Sequence, residues 1–258
     1  MPRASELPAG ILSCVLPAEE GDPFAELAAS VRWEELGKGR RGAVLTRPDE
    51  AGAVPLVRTT TRYGAPAQRF RPVHERLARR IREHAALPVD FDNALVERYT
   101  NAYATMGSHS DQALDLADGS FVAVFSCYRG PGGATPSRKL VFEWKEGGGE
   151  AFEVPLAHRG VVAFSVAANR LLRHKIVLDA SARTADEEWL GVTFRTSKTA
   201  VRFRDGHAHL PGGVRLAVAD EEQRREFYRL RRRENTETDF AYPPLDHTVS
   251  ESDLLPPV

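Results

Sequence analysis

Two histidines and an aspartate, His109, Asp111 and His174, are the residues of this 258-residue chain best suited to chemistry. His109-Ser110-Asp111 is a compact H-x-D, and residues i and i+2 of a strand, or of the turn leaving it, point the same way. His109 and Asp111 can therefore reach one ion together. His174 stands far downstream, at the head of the apolar run Lys175-Ile176-Val177-Leu178. Arg195 closes another such run, Gly191-Val192-Thr193-Phe194-Arg195. Two histidines and one carboxylate on one face of an iron ion leave positions open for an oxidant and a co-substrate. An arginine beside them offers a fixed fork to a carboxylate. H-x-D alone is a common tripeptide, so the weight falls on the elements that must bring these residues together.

Those elements read as strands. Between residues 91 and 218 the runs Leu95 to Tyr99, Phe121 to Ser126, Lys139 to Trp144, Ala151 to Leu156, Gly160 to Ser165, His174 to Leu178, Leu190 to Arg195 and Ala200 to Phe203 are apolar or β-rich and of strand length. Turn material separates them at Pro131-Gly132-Gly133, Gly147-Gly148-Gly149 and Pro211-Gly212-Gly213. Many short strands at near-regular spacing predict a sandwich or barrel, here a jelly roll. His174 follows the strand Val161 to Ser165, where the far side of such a roll would return.

Residues 1–90 read as a helical extension or lid. A short helix spans Pro23 to Ala29. A better one starts near Pro72, buries Val73, Leu77, Ile81 and Ala85 at helical spacing, and ends at Pro88. Gly37 to Pro55 reads as a hairpin or mobile loop. After residue 218, Asp220 and Gln223 form a capping pair for a helix with Phe227 and Leu230 facing inward. A proline-punctuated tail follows and is expected to pack as an extended arm. The expected architecture is thus α+β with a mainly β core: one domain, 1–258, holding a jelly roll flanked by N-terminal helices, a C-terminal helix and a tail.

Composition excludes several classes. The chain is 42% hydrophobic and 28% charged, as expected of a globular protein. No apolar run approaches the roughly 20 residues that cross a bilayer, and the first residues make a poor secretion signal. Two distant cysteines, Cys14 and Cys127, form neither a zinc spacing nor a disulfide framework. A cytoplasmic setting is the expectation. A net charge of −1 gives no global reason to expect nucleic acid. Locally, the arginines from Arg58 to Arg82 have Glu75 as their only acidic neighbour, and the solvated face of a helix is preferred to a phosphate-binding patch.

The ordered set resembles the AlkB-like branch of the iron(II)- and 2-oxoglutarate-dependent dioxygenases. The matching pieces are Leu95-Val96-Glu97-Arg98-Tyr99, His109-Ser110-Asp111-Gln112, Phe121 to Ser126, Arg159 to Phe164, His174 and Val192-Thr193-Phe194-Arg195. Val54 to Arg58 with Arg62-Tyr63-Gly64 is similar to the segment before the core. The resemblance spans residues 54 to 200. It implies that His109, Asp111 and His174 hold Fe(II), and that Arg195, helped by Thr193 and Tyr99, binds 2-oxoglutarate. With O2, that co-substrate would give succinate and CO2 while a C–H bond is oxidised. The outcome is a hydroxylated carbon, or a lost methyl group when that carbon sits on nitrogen.

Two positions depart from the branch. Glu97 stands where it carries asparagine, and Trp189 where it carries a second arginine. Arg98, Arg170, Arg173 or Lys175 are candidate replacements, as are Asn101 and Tyr103 by a shift of register. His207-Ala208-His209 is a rival H-x-H but reads as exposed loop histidines, and Cys127 as a small core hydrophobe. A small-molecule substrate is favoured. The alternatives are an alkylated nucleobase read by Trp33, Tyr63, Phe70 and the Arg58 to Arg82 cations, and a catalytically silent ligand-binding β-roll.

Overall fold

The computed structural model describes residues 4–130, 136–147, 149–180 and 187–258; the turns expected at Pro131-Gly132-Gly133 and at Gly148 lie outside them. Residues before 90 supply strands as well as the two expected helices. These strands are β1 (Ser5–Leu7), β2 (Ile11–Val15), β3 (Glu34–Gly37), β4 (Arg40–Thr46), β5 (Val54–Leu56) and β6 (Gln68–Arg69). Their pattern was hard to read for physical reasons. The β2 run Ile-Leu-Ser-Cys-Val is short and bounded by Gly10 and Pro17. The β4 run opens on Arg40, Arg41 and Gly42: Arg40 lines a cavity rather than a core, and Arg41 faces solvent beside Glu35.

Helix α1 (Pro23–Ser30) is capped by Asp22, whose carboxylate accepts the Phe24 N–H at 2.9 Å. Helix α2 (Pro72–His84) starts on its proline as expected and buries Leu77, Ala78 and Ile81. Then come β7 (Asn93–Tyr99), β8 (Phe121–Tyr128), β9 (Arg138–Trp144), β10 (Phe152–Pro155), β11 (Gly160–Ser165), β12 (Leu172–Leu178), β13 (Trp189–Arg195) and β14 (Thr199–Arg204). Each lies within two residues of its predicted bounds. A short helix, α3 (Val166–Leu171), links β11 to β12. The chain closes with β15 (His207–His209), β16 (Ala217–Val218), α4 (Glu221–Glu234) and β17 (His247–Thr248).

The major sheet runs β1-β2-β11-β8-β13-β7-β4-β3, with β6 added to β4. A minor sheet, β10-β9-β12, faces it. Together they form the expected double-stranded β-helix, or jelly roll. The central strands are buried on both faces, which explains their unbroken apolar runs. In β8, Ala123, Phe125 and Cys127 pack outward under α1 and α2. Val122 and Val124 face inward against Leu140, Phe142 and Ile176 of the minor sheet. Cys127 is the small core hydrophobe expected of it, fully buried.

Helix α4 forms with the predicted reciprocal cap: the Gln223 N–H donates to Asp220 and the Asp220 N–H to Gln223, at 2.8 and 3.0 Å. The tail is extended as expected. Its last residue pairs with Ala67 and Arg69 through backbone hydrogen bonds of 2.9 and 2.8 Å. Arg58 ties it further, donating to the Leu245 and His247 carbonyls while its other nitrogens grip the buried Asp115.

On the inner face, Trp189 leans over Gly191 and packs at a tilt against Tyr99, ring centroids 4.8 Å apart. A Cβ at Gly191 would lie 2.0 Å from the Trp189 ring. Gly191→Val is therefore expected to destabilise the fold by about 1–3 kcal/mol through overpacking, measured by chemical denaturation; an unchanged midpoint would contradict this packing.

Candidate metal centre

β12 carries His174 and its edge receives the returning segment after β7. Isolated bridges join Thr105 to Val177 and His109 to His174. At the second, each histidine N–H donates to the other's carbonyl, at 2.9 and 2.6 Å. The two imidazoles are thereby set side by side, ring centroids 4.7 Å apart. Asp111, two residues on, brings its carboxylate to them. Its Oδ1 lies 3.7 Å from His174 Nε2 and 4.0 Å from His109 Nε2. One ligand atom from each residue falls within 4.8 Å of the others, the one such cluster among the described residues.

Every residue of the H-x-D is held by its backbone. Ser110 donates its N–H to Asn235 Oδ1 at 3.0 Å and its hydroxyl to the Leu172 carbonyl at 2.9 Å, and its own carbonyl accepts from Arg231. Asp111 is clamped by Asn169 of α3: the amide oxygen accepts its N–H at 2.8 Å and the amide nitrogen donates to its carbonyl at 2.7 Å. Glu234 accepts the Ala113 N–H at 2.8 Å and pairs with Arg231. The end of α4 thus braces the metal loop.

Orientation extends to the side chains. His109 Nδ1 sits 2.8 Å from the Gly107 carbonyl. Donation there places the proton on Nδ1 and leaves Nε2 as a ligand, the usual second contact of a metal histidine. His174 packs against the rings of Phe164 and Phe142. Arg195 donates from Nε to Asp111 Oδ2 at 2.7 Å. One carboxylate oxygen is therefore taken, and Oδ1 remains toward the imidazoles.

The protonation states suit a cation. Burial pushes His174 down from 6.5 to about 3, with His109 beside it adding to the effect. Burial lowers His109 too. For Asp111 burial acts upward, but Arg195 and the two histidines outweigh it and hold the carboxyl well below its ordinary range. Two neutral imidazoles and an ionised carboxylate are the forms a metal ion requires.

The triad lies in the wall of a cavity of about 360 Å³ between the two sheets. Arg195 and Thr193 line it, with Leu95, Val124, Leu140 and Ile176 as apolar walls. Tyr99 is placed differently from the other expected contacts. It is fully buried behind the cavity, and its hydroxyl donates to Glu97 at 2.9 Å. Glu97 lines the cavity, whereas Trp189 fills core. The candidate replacement cations point elsewhere: Arg98 pairs with Glu188, Arg170 with Asp118, and Arg173 and Lys175 with Glu143. Tyr103 does line the cavity, and so does Arg40 of β4, bonded to Glu97.

Arg40, Asn169, Arg231, Glu234 and Asn235 escaped the sequence reading. The last three stand about 120 residues beyond the loop they brace. Asn169 gave one faint sign, a buried amide in a short helix between strands. His207 and His209 lie on β15, apart from the metal cluster.

The fold and site define a jelly roll carrying a two-histidine, one-carboxylate cluster able to hold a metal ion. No protein-family model matches the sequence, and no curated protein matches it either. Among solved structures, that of OsALKBH1 is similar at 16% identity, covering 75% of this chain and 99% of that one, with a TM-score of 0.48. A prolyl-4-hydroxylase from Pseudomonas putida is similar at 13% identity, covering 74% and 94% of the two chains, with a TM-score of 0.43.

Asn169→Ala should lower metal affinity about 10- to 100-fold in a Co(II) or Fe(II) titration, because Asp111 loses its clamp; unchanged affinity would contradict that role. The buried histidines should also make an acid-sensitive contribution to the stability of the metal-free protein. Below pH 6.5 the unfolded chain protonates histidines that the fold keeps neutral, so their contribution falls with pH until the folded values are reached. Those lie near 3 for His174 and, for the buried His74 on α2, near 4. Each such histidine contributes about 1.4 kcal/mol per pH unit within its window, opposed by the carboxyls of Asp92 and Asp253, which burial raises to about 6 and about 7. Chemical denaturation of His74→Gln at pH 6.5 and 4 should therefore show a smaller acid loss than the parent protein, and an identical pH dependence would refute the assignment.

Proposed function

We propose that the protein is an iron(II)-dependent oxygenase that uses a 2-oxo acid and O2 to oxidise a C–H bond of a small molecule. The observation that carries this reading is the convergence of His109 Nε2, His174 Nε2 and Asp111 Oδ1 on one wall of the cavity between the sheets. Two neutral nitrogens and one carboxylate oxygen suit iron(II) and leave the cavity side open to further ligands. When bound, the metal supplies one coupled reaction. The C1–C2 bond of the oxo acid breaks, C1 leaves as CO2, and one oxygen atom makes C2 a carboxylate while the other enters the C–H bond.

The chain's own residues supply binding and orientation. Arg195 holds Asp111 through Nε, while its Nη1 is buried without a protein partner. A buried guanidinium nitrogen of this kind suits a carboxylate beside the metal. Thr193, one same-face row along β13, adds a hydroxyl to the wall. The co-substrate that the resemblance implies is 2-oxoglutarate. One of its carboxylates suits Arg195; a second, deeper in the cavity, meets the carboxylate of Glu97.

Size and charge support a small-molecule substrate over an alkylated nucleobase. The cavity volume is that of small-ligand sites. Helix α2 packs on the outer face of the major sheet, away from the cavity. Its arginines Arg76, Arg80 and Arg82 pair with Glu26, Glu19 and Asp90, and Arg58 is locked to Asp115. Of the aromatic platform, Trp33 and Phe70 also pack against the outer core.

Anaerobic titration with Fe(II) and then a 2-oxo acid tests the reading. A visible metal-to-ligand charge-transfer band is expected, abolished in His174→Ala and requiring about 10- to 100-fold more oxo acid in Arg195→Ala, the worth of a charged hydrogen bond. Absence of iron binding would favour the silent β-roll instead.

A further inference from the structure

Among the described residues, four arginines line the cavity and no lysine does. Three are matched by the chain's own carboxylates. Arg58 is bound to Asp115, Arg231 to Glu234, and Arg40 to Glu97. Arg195 is shared: Nε goes to Asp111 and Nη1 is left over. The cavity thus holds one buried, uncommitted guanidinium donor, and it lies beside the metal ligands.

The strand registers place Glu97 relative to that donor. On the inner face of β7 and β13, Arg195 opposes Asn93, Thr193 opposes Leu95, Gly191 opposes Glu97, and Trp189 opposes Tyr99. Tyr99 in turn opposes Arg40 on β4, and Glu97 opposes Gly42. Moving away from the metal, a ligand first meets the row of Leu95, Thr193 and Val124. It then meets Glu97, whose neighbours across the sheet are Gly191, covered by the Trp189 ring, and Gly42, covered by Leu36 and Tyr63.

The Glu97 carboxylate is itself fully held. Arg40 donates to Oε1 from Nε at 2.9 Å and from Nη2 at 2.5 Å, and the Tyr99 hydroxyl donates to Oε2 at 2.9 Å. A guanidinium fork and a phenol converging on one carboxylate are what a ligand carboxylate would need at this end of the cavity. Here the protein fills that seat itself. A ligand with a second carboxylate must displace Glu97 and leave a buried charge without its partner, or lie against it as a like charge.

Resting on the iron and 2-oxo acid reading, we infer that Glu97 selects the co-substrate: the centre takes a 2-oxo acid with one carboxylate and an uncharged tail, and disfavours 2-oxoglutarate. The carboxylate at C1 goes to the metal side and Arg195. The tail lies along Leu95 and Val124 and stops short of Glu97.

The test is equilibrium binding, read from the charge-transfer band of the anaerobic Fe(II) protein with pyruvate, 2-oxoisocaproate and 2-oxoglutarate as probes. The wild-type protein should bind 2-oxoisocaproate at least about tenfold more tightly than 2-oxoglutarate, the scale of one 1.4 kcal/mol difference. Glu97→Ala, which vacates the seat, should tighten 2-oxoglutarate by a similar factor and leave pyruvate within about twofold. Adding Arg40→Ala to it should remove that gain. Glu97→Gln, which keeps the shape and removes the charge, should give an intermediate gain and guards against a poorly folded alanine variant. Tighter binding of 2-oxoglutarate than of 2-oxoisocaproate by the wild type, or a preference unchanged by both Glu97 variants, overturns the role of Glu97 and leaves the iron and oxo acid reading standing. Iron binding with no band from any of the three acids overturns both.

Discussion

The structure turns on one pair of backbone hydrogen bonds, those exchanged between His109 and His174. They join a loop that has just left the major sheet to a strand of the minor sheet. The candidate metal ligands belong to these two pieces of chain, so the bridge fixes their separation before any side chain is considered. The surrounding contacts then remove freedom from the loop. Asn169 holds the backbone of Asp111, and the end of α4 holds Ser110 and Ala113. Ligand geometry set by backbone pairing costs little reorganisation when a metal enters, because the ordering entropy was met on folding.

The second governing constraint is charge matching in a cavity walled by apolar strands. An arginine buried without a partner is expensive, and a carboxylate equally so. The chain answers with pairs drawn from different elements: Arg58 with Asp115, Arg231 with Glu234, Arg40 with Glu97. Each pair also ties down a segment. Arg58 reaches the tail through two carbonyls, and Arg231 reaches the metal loop. The surplus is concentrated at Arg195, where a negatively charged ligand beside a metal would complete it. The helix and tail after residue 218 therefore belong to the same electrostatic framework as the site.

Much of this was legible in the order of residues. The eight core strands announced themselves because burial on both faces demands unbroken apolar runs, which few other structures require. The capping pair Asp220 and Gln223 located α4, since short polar side chains at a helix start have few other uses. Strands β2 and β4 were not legible. Strand β2 is a five-residue run held between β1 and β11, and β4 opens on two arginines; neither shows the alternation that marks a half-buried sheet.

The sequence by itself singled out the candidate metal ligands His109, Asp111 and His174, and the fold brings these three together. It also determined the roll that carries them. Only the tertiary structure decided how the rest of the cavity is charged. Arg40 lies 57 residues from Glu97 in the chain, and Arg231 lies 121 from Ser110. Such pairings follow from strand order and register, which bring distant residues into one row. Tyr99 shows the same lesson in reverse. Its place at the end of a strand suggested a ligand contact, but the register sets it against Trp189 and gives its hydroxyl to Glu97. Spacing along the chain fixes which face a side chain takes; what it meets there is fixed by the neighbouring strand.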